Sequence, residues 1–152
     1  ELAVAGPTVT PGYDDSEQTA EAFGRHGLHT GDVGFVDDDG RLHVLDRRSD
    51  RIVTGGENVH PGEVVDVLRD HPAVEDAAVV GIDDPEWGER VAALVVVDGD
   101  ISADDLRAHC RNRIADYKRP RTVAFADSIP RTASDTVDRE AVHERLSDAA
   151  GR

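Results

Sequence analysis

Two stretches of this chain hold more glycine and more spaced polar side chains than packing asks for. The first is Thr30-Gly31-Asp32. A carboxylate held beside a glycine turn can accept two hydrogen bonds from a vicinal diol, as ribose-binding acids do, or it can simply cap a turn. The second runs from Asp46 to Glu63, DRRSDRIVTGGENVHPGE. Its Gly55-Gly56 pair lets backbone approach a ligand closely, or makes a tight turn. It holds no lysine, which separates it from phosphate loops of the Walker type.

Other chemistry finds little support. The seven histidines are scattered, with no HExxH and no cluster at ligand spacing, so no metal site is expected. His26 and His29 lie around a glycine and suit a solvated surface. There is no Gly-x-Ser-x-Gly elbow. Asp37-Asp38-Asp39-Gly40 lacks the spacing and closing glutamate of a calcium loop and reads as a hairpin turn.

The elements that must position these residues follow from local pattern. Leu2 to Ala5 form a short apolar strand, broken by Gly6-Pro7 and Pro11-Gly12. Ser16 is placed to cap a helix running to Phe23, with Gly24 ending it. Val33–Val36 and Arg41–Leu45 predict a hairpin. Pro61 suits a first helical turn, with Val64, Val67 and Leu68 on one face and His71-Pro72 as the stop. Ala77–Ile82 and Val91–Val97 are continuous apolar runs, the mark of strands buried on both faces. Asp83 to Glu89, with Trp87, form a polar loop between them. Ser102 and Asp105 make a capping box before Leu106, Cys110 and Ile114, which assigns Cys110 to packing. Val123–Ala126 reads as a strand, and Asp138 caps a last helix with Val142 and Leu146 turned inward. The order α-β-β-α-β-α with adjacent strands predicts an α+β fold, a small mixed sheet flanked by helices.

Composition narrows the function classes. The 152 residues carry 32 acids and 17 bases, a formal charge of −15, which disfavours a nucleic-acid partner held by phosphate neutralisation. No apolar run approaches the roughly 20 residues of a membrane span. A single cysteine forbids an internal disulfide and makes the cytoplasm the default location. Of the basic residues, sixteen are arginine and only Lys118 is lysine. Acid gain together with lysine loss predicts a halophilic surface, hydrated and dispersed in concentrated salt; the plainer alternative is an acidic protein from a GC-rich genome. The chain opens at Glu1 without methionine, as a fragment or trimmed chain would.

Five motifs in order carry a resemblance: GYDDSEQTAEAF (Gly12–Phe23), LHTGDVG (Leu28–Gly34), DRRSDRIVTGGENVHPGEV (Asp46–Val64), YKRP (Tyr117–Pro120) and IPRTASDTVDRE (Ile129–Glu140). Together they closely resemble the C-terminal end of the acyl-adenylating (AMP-forming) enzymes, a family of acyl-CoA synthetases, peptide-synthetase adenylation domains and luciferases. VVGIDDPEWGERVAALVV and PRTAS look most like the acyl-CoA ligases.

The resemblance implies that residues 1–46 are the β-rich end of a large N-terminal domain. Residues 47–152 are then the mobile C-terminal domain, with a hinge near 47–50. It implies ATP with Mg as the substrate complex, CoA and a small carboxylic acid as the partners, and no metal held by this part, and it leaves room for a homo-oligomer. By motif position Asp32 and Arg47 bind nucleotide and Ser49 is the hinge residue. Thr54, Gly55, Gly56, Glu57 and Asn58 line the CoA tunnel in the second half-reaction. One departure stands out. The family's closing motif ends Ser-Gly-Lys, and its lysine is catalytic in adenylation; here Asp135 replaces the glycine and Thr136 the lysine. Either Lys118, Arg131 or Arg139 supplies the cation, or adenylation is slow, or that step is lost. The alternative to a ligase is therefore a degenerate domain that binds nucleotide, CoA or a protein partner, or that runs one half-reaction only.

Overall fold

The computed structural model describes residues 1–151. They form two compact units, Glu1–Ser49 and the chain from Asp50 onward.

In the first unit, β1 (Ala3–Val4), β3 (Gly27–His29) and β2 (Phe23–Gly24) make a small antiparallel sheet in that order. The helix α1 (Ser16–Ala22) is capped by Asp15, not by Ser16: the Asp15 carboxylate accepts from the backbone N–H groups of Glu17 and Gln18. An ionised side chain at that place satisfies two donors that the helix leaves open. The hairpin of β4 (Asp32–Val36) and β5 (Leu42–Arg47) closes over the aspartate turn. There Asp37 Oδ1 accepts from the N–H groups of Asp39 and Arg41, which is the work of a turn and not of a metal loop.

The second unit is a three-layer α+β domain. Its elements are β6 (Ile52–Thr54), β7 (Glu57–Val59), α2 (Pro61–Arg69), β8 (Val74–Asp84), β9 (Gly88–Val97), α3 (Ala103–Cys110), β10 (Thr122–Phe125) and α4 (Arg139–Ala150). Strand β9 is central, antiparallel to β8 and parallel to β10, so the sheet is mixed. Side chains alternate across it. Ala77, Val79, Val91, Ala93 and Val95 pack with Val64 and Leu68 of α2 and Leu106 and Cys110 of α3. Ala78, Val80, Ile82, Ala92, Leu94 and Val96 face the other way, onto Ile129 and onto Val142 and Leu146 of α4. Both faces are covered, which is why the two runs are apolar at every position.

Besides the cap of α1, local details of the second unit differ from the sequence reading in three places. The β8–β9 strands run on until only Pro85–Trp87 remain between them, because Asp84 Oδ1 accepts from the N–H groups of Glu86 and Trp87 and folds a tight turn. Helix α3 stops at Cys110, so Ile114 packs from the following turn and not from the helix. The stretch after Arg51, read as a loop, is the β6–β7 hairpin, with Glu57 and Asn58 in strand.

Candidate functional site

The first unit brings Asp32 and Arg47 together. They are cross-strand partners at the open end of the β4–β5 hairpin, with Arg47 Nε 3.5 Å from Asp32 Oδ1. Thr30 prepares the aspartate: its hydroxyl donates to the Leu2 carbonyl and accepts from the Asp32 N–H. The Gly31 carbonyl accepts from the Arg48 N–H at 2.7 Å, closing the hairpin behind the pair. An acid and a base are thus presented side by side, suited to a diol and a phosphate respectively. Ser49 is the last residue of this unit, within a short 3-10 turn, Arg48–Asp50.

In the second unit, Gly55 and Gly56 are the two central residues of the β6–β7 hairpin, where Thr54 pairs with Glu57 and Val53 with Asn58. Their φ values of 57° and 84° are both left-handed, the requirement of a two-residue type I′ turn. Trp87 buttresses this turn. Its carbonyl accepts from the Gly55 N–H at 2.8 Å, and a Cβ on Gly55 would stand 2.5 Å from the indole. Glu89 fastens the preceding strand, its carboxylate accepting from the Val53 N–H at 2.6 Å. Thr54 is buried beneath the turn. A Cβ on Gly56 would meet nothing within 4 Å, so the backbone there is open to a ligand.

Beyond Trp87 lies a cavity of about 580 Å³ lined by Arg107, Arg111, Arg119 and Arg121, with Asp116 and Pro120 between them and Trp87 and Tyr117 as its aromatic walls; Asp116 pairs with Arg119. The Arg121 guanidinium lies 4.6 Å from the Trp87 ring centroid, on a cation–π contact. Arginine forks and flat rings are what a phosphorylated adenine nucleotide needs. Sequence reasoning missed this groove. The signal was present, since residues 107–121 hold five arginines and the only lysine of a strongly acidic chain.

Thr136 sits in the closing turn, between Arg131 and Val137, which form an isolated antiparallel bridge. The Thr132 N–H donates to the Thr136 carbonyl at 2.8 Å, and the hydroxyls of the two threonines are 2.7 Å apart, with Ser134 beside them. Asp135 takes a left-handed φ of 62°. The Arg131 guanidinium donates to the Asp135 carbonyl and to Asp76 Oδ2, both at 2.9 Å. Burial pushes the Asp76 carboxyl up, but hydrogen bonds from Arg69 and Arg131 outweigh it and hold the group below its ordinary value. The other two cations that stand near in sequence are engaged as well. Lys118 Nζ is 2.7 Å from Glu63 Oε2, and Arg139 Nε is 2.7 Å from Asp50 Oδ2. Each of the three candidate replacements for the family lysine is thus already paired with an acid.

Among the described residues no cluster of histidine, cysteine and acid could hold a metal. No helix among them is long and apolar enough to cross a membrane. Cys110 is buried and its thiol is pushed up by that burial, which keeps it protonated and inert.

The chain is similar to several known proteins. Residues 63–136 match the family model described as the AMP-binding enzyme C-terminal domain. The chain is 47% identical over 135 residues to the 2-succinylbenzoate–CoA ligase of Bacillus mycoides (strain KBAB4), covering 88% of this chain and 28% of that protein. Among solved structures, ATP-bound MatB from Rhodopseudomonas palustris superposes with a TM-score of 0.88 at 34% identity, over 95% of this chain and 29% of that one. The o-succinylbenzoate CoA synthetase MenE of Bacillus subtilis, in complex with the acyl-adenylate intermediate OSB-AMP, gives 0.82 at 41% identity, over 90% of this chain and 28% of that one. The chain thus spans a little over a quarter of the length of these relatives.

Proposed function

We propose that this chain is the C-terminal part of an ATP-dependent acyl-CoA ligase, a reading supported by the match of residues 63–136 to the family model described as the AMP-binding enzyme C-terminal domain. The observation that carries the reading is the Gly55-Gly56 turn, buttressed by Trp87 beside an arginine and aromatic groove on a chain of charge −15. Four arginines gathered against such a net charge mark a polyanionic ligand.

In the first half-reaction a carboxylate oxygen attacks the α-phosphorus of ATP, taken up with Mg, and pyrophosphate leaves. Asp32 accepts from the ribose hydroxyls and Arg47 faces the neighbouring phosphate. In the second, the CoA thiol gives up its proton to solvent and its sulfur attacks the acyl carbon. The carbon–sulfur bond forms as the carbon–oxygen bond to AMP breaks. The phosphates of CoA rest on Arg107, Arg111, Arg119 and Arg121, and the pantetheine arm passes over Gly56. Ser49 serves as the hinge between residues 1–46 and 47–152, whose rotation exchanges the closing turn for the Gly55-Gly56 turn. The names of the relatives make 2-succinylbenzoate the first acid to try. The lone buried Cys110 fits a reducing cytoplasm.

The test is acyl-CoA formation by the full-length protein, begun either from acid and ATP or from supplied acyl-adenylate, across low to multimolar KCl. Acyl-CoA from both routes supports the ligase. Acyl-CoA from the adenylate alone identifies a thioesterifying half-enzyme, the outcome that Thr136 in place of lysine favours. No acyl-CoA from either route overturns the reading. With an acid-rich surface and one lysine, activity and melting temperature are both expected to rise with salt.

A further inference from the structure

Lys118 is the only lysine in a chain that uses arginine at its sixteen other basic positions. It stands in the turn between α3 and β10, and its side chain is 22% exposed. The groove described above does not include it among its walls, although its neighbours Tyr117 and Arg119 do line that groove. Its ammonium donates instead to Glu63 Oε2 at 2.7 Å, across 55 residues of sequence. The other oxygen of the same carboxylate, Oε1, accepts from the His60 N–H at 3.2 Å. His60 directly follows β7, the second strand of the glycine hairpin, and precedes α2.

One carboxylate therefore ties two structures together, the exit of the glycine hairpin and the turn that carries the groove's aromatic wall. We propose that Lys118, acting through Glu63, is a positioning residue for the CoA step, fixing the arginine groove relative to the Gly55-Gly56 turn. The inference rests on the acyl-CoA ligase reading. The phosphate-bearing end and the thiol end of one ligand must be received in register, and a misplacement of about 1 Å can cost a hundredfold in rate. The geometry also explains why lysine stands here. With Oε1 already bonded to backbone, a single oxygen remains, which suits a compact ammonium with rotatable donors. The planar arginine fork is built for two oxygens.

The test compares variants in the full-length protein, reading KM for CoA, KM for ATP and the adenylation rate. Glu63→Gln is the decisive change. It removes a negative charge near a polyanion site, so a purely electrostatic role predicts a lower KM for CoA. A positioning role predicts a higher one, by about tenfold, from the loss of a charge-assisted hydrogen bond, with KM for ATP and adenylation within twofold of the parent. Lys118→Met should act alike, and Lys118→Arg should fail to restore the parent KM. Glu63→Gln carries the test alone if Lys118→Met does not fold. A lowered or unchanged KM for CoA in Glu63→Gln, or full rescue by Lys118→Arg, overturns the inference and leaves the ligase reading standing. A parent protein that makes no acyl-CoA removes both.

Discussion

Two turns of the second unit are offered to the same chemistry, and they are built on opposite plans. The Gly55-Gly56 turn is supported from below by Trp87 and Thr54 and leaves its outer backbone bare. The Arg131–Val137 turn is held from within, by hydroxyls bonded to each other and by a guanidinium spent on Asp76 and a backbone carbonyl. The first presents backbone to whatever passes over it. The second presents short polar side chains where its relatives' motif places an ammonium. A ligand arm needs the former and a charge-building phosphoryl centre needs more than the latter offers. On the ligase reading proposed above, these plans equip the chain better for the CoA step than for adenylation.

The largest effect is expected from Gly56→Leu. A left-handed φ of 84° costs a leucine about 1–2 kcal/mol of strain, yet its Cβ collides with nothing in the protein. The side chain would instead stand in the path assigned to pantetheine. In single-turnover measurements from supplied adenylate, thioester formation should fall by about a hundredfold or more. Adenylation should stay within a few-fold of the parent. A variant that slowed adenylation and spared the CoA step would show that the turns have been assigned to the wrong half-reactions.

Legibility in the sequence followed the physics of each element. The paired core strands were visible because burial on both faces leaves an unbroken apolar run, as in Val91–Val97. Capping at Ser102 and Asp138 was visible because a side-chain oxygen meets a nearby N–H within three residues. The β6–β7 hairpin was missed because Ile52–Thr54 and Glu57–Val59 are only three residues each and glycine drew attention to the turn instead. The arginine groove was missed because Trp87 joins it from the β8–β9 turn, remote in sequence from the arginines, and no local pattern records a cavity. The pairing of Lys118 with Glu63 was likewise hidden, since it closes over 55 residues. Asp32 stood out by its place beside the Gly31 turn, and Arg47 only by family resemblance; their cross-strand pairing needed the register of β4 and β5.

Restoring the absent cation sharpens the comparison from the other side. Thr136→Lys with Asp135→Gly should raise the adenylation rate, by up to about a hundredfold if the ammonium is well aimed. It should leave thioester formation from supplied adenylate nearly unchanged. Glycine at 135 suits the left-handed backbone there and removes a negative charge from beside the new lysine. An unchanged adenylation rate in the folded double variant would mean that the parent already meets the need for charge, and the contrast between the turns would shrink to one of shape.

The smallest expected effect concerns how firmly the closing turn is tied down. Asp76 accepts from Arg69 of α2, from Arg131 of the turn and from the Ala77 N–H at 2.8 Å. The bonds to the two guanidiniums depress its folded pKa against the opposing push of burial. A depressed carboxylate contributes stability that is complete above its unfolded pKa and is lost as pH falls through the folded one. Asp76→Asn should therefore cost about 1–2 kcal/mol at neutral pH, the upper figure discounted because both arginines are partly exposed. The gap in melting temperature between parent and variant should narrow below about pH 4, where the parent's aspartate begins to lose its advantage. The other depressed acids, Glu1, Asp37, Asp84 and Asp105, are present in both proteins and cancel in the difference. Adenylation should suffer more than thioester formation, because Arg131 is the turn's own anchor. A gap that stayed constant down to about pH 3 would show that Asp76 holds the turn by shape and neutral hydrogen bonds, not by charge.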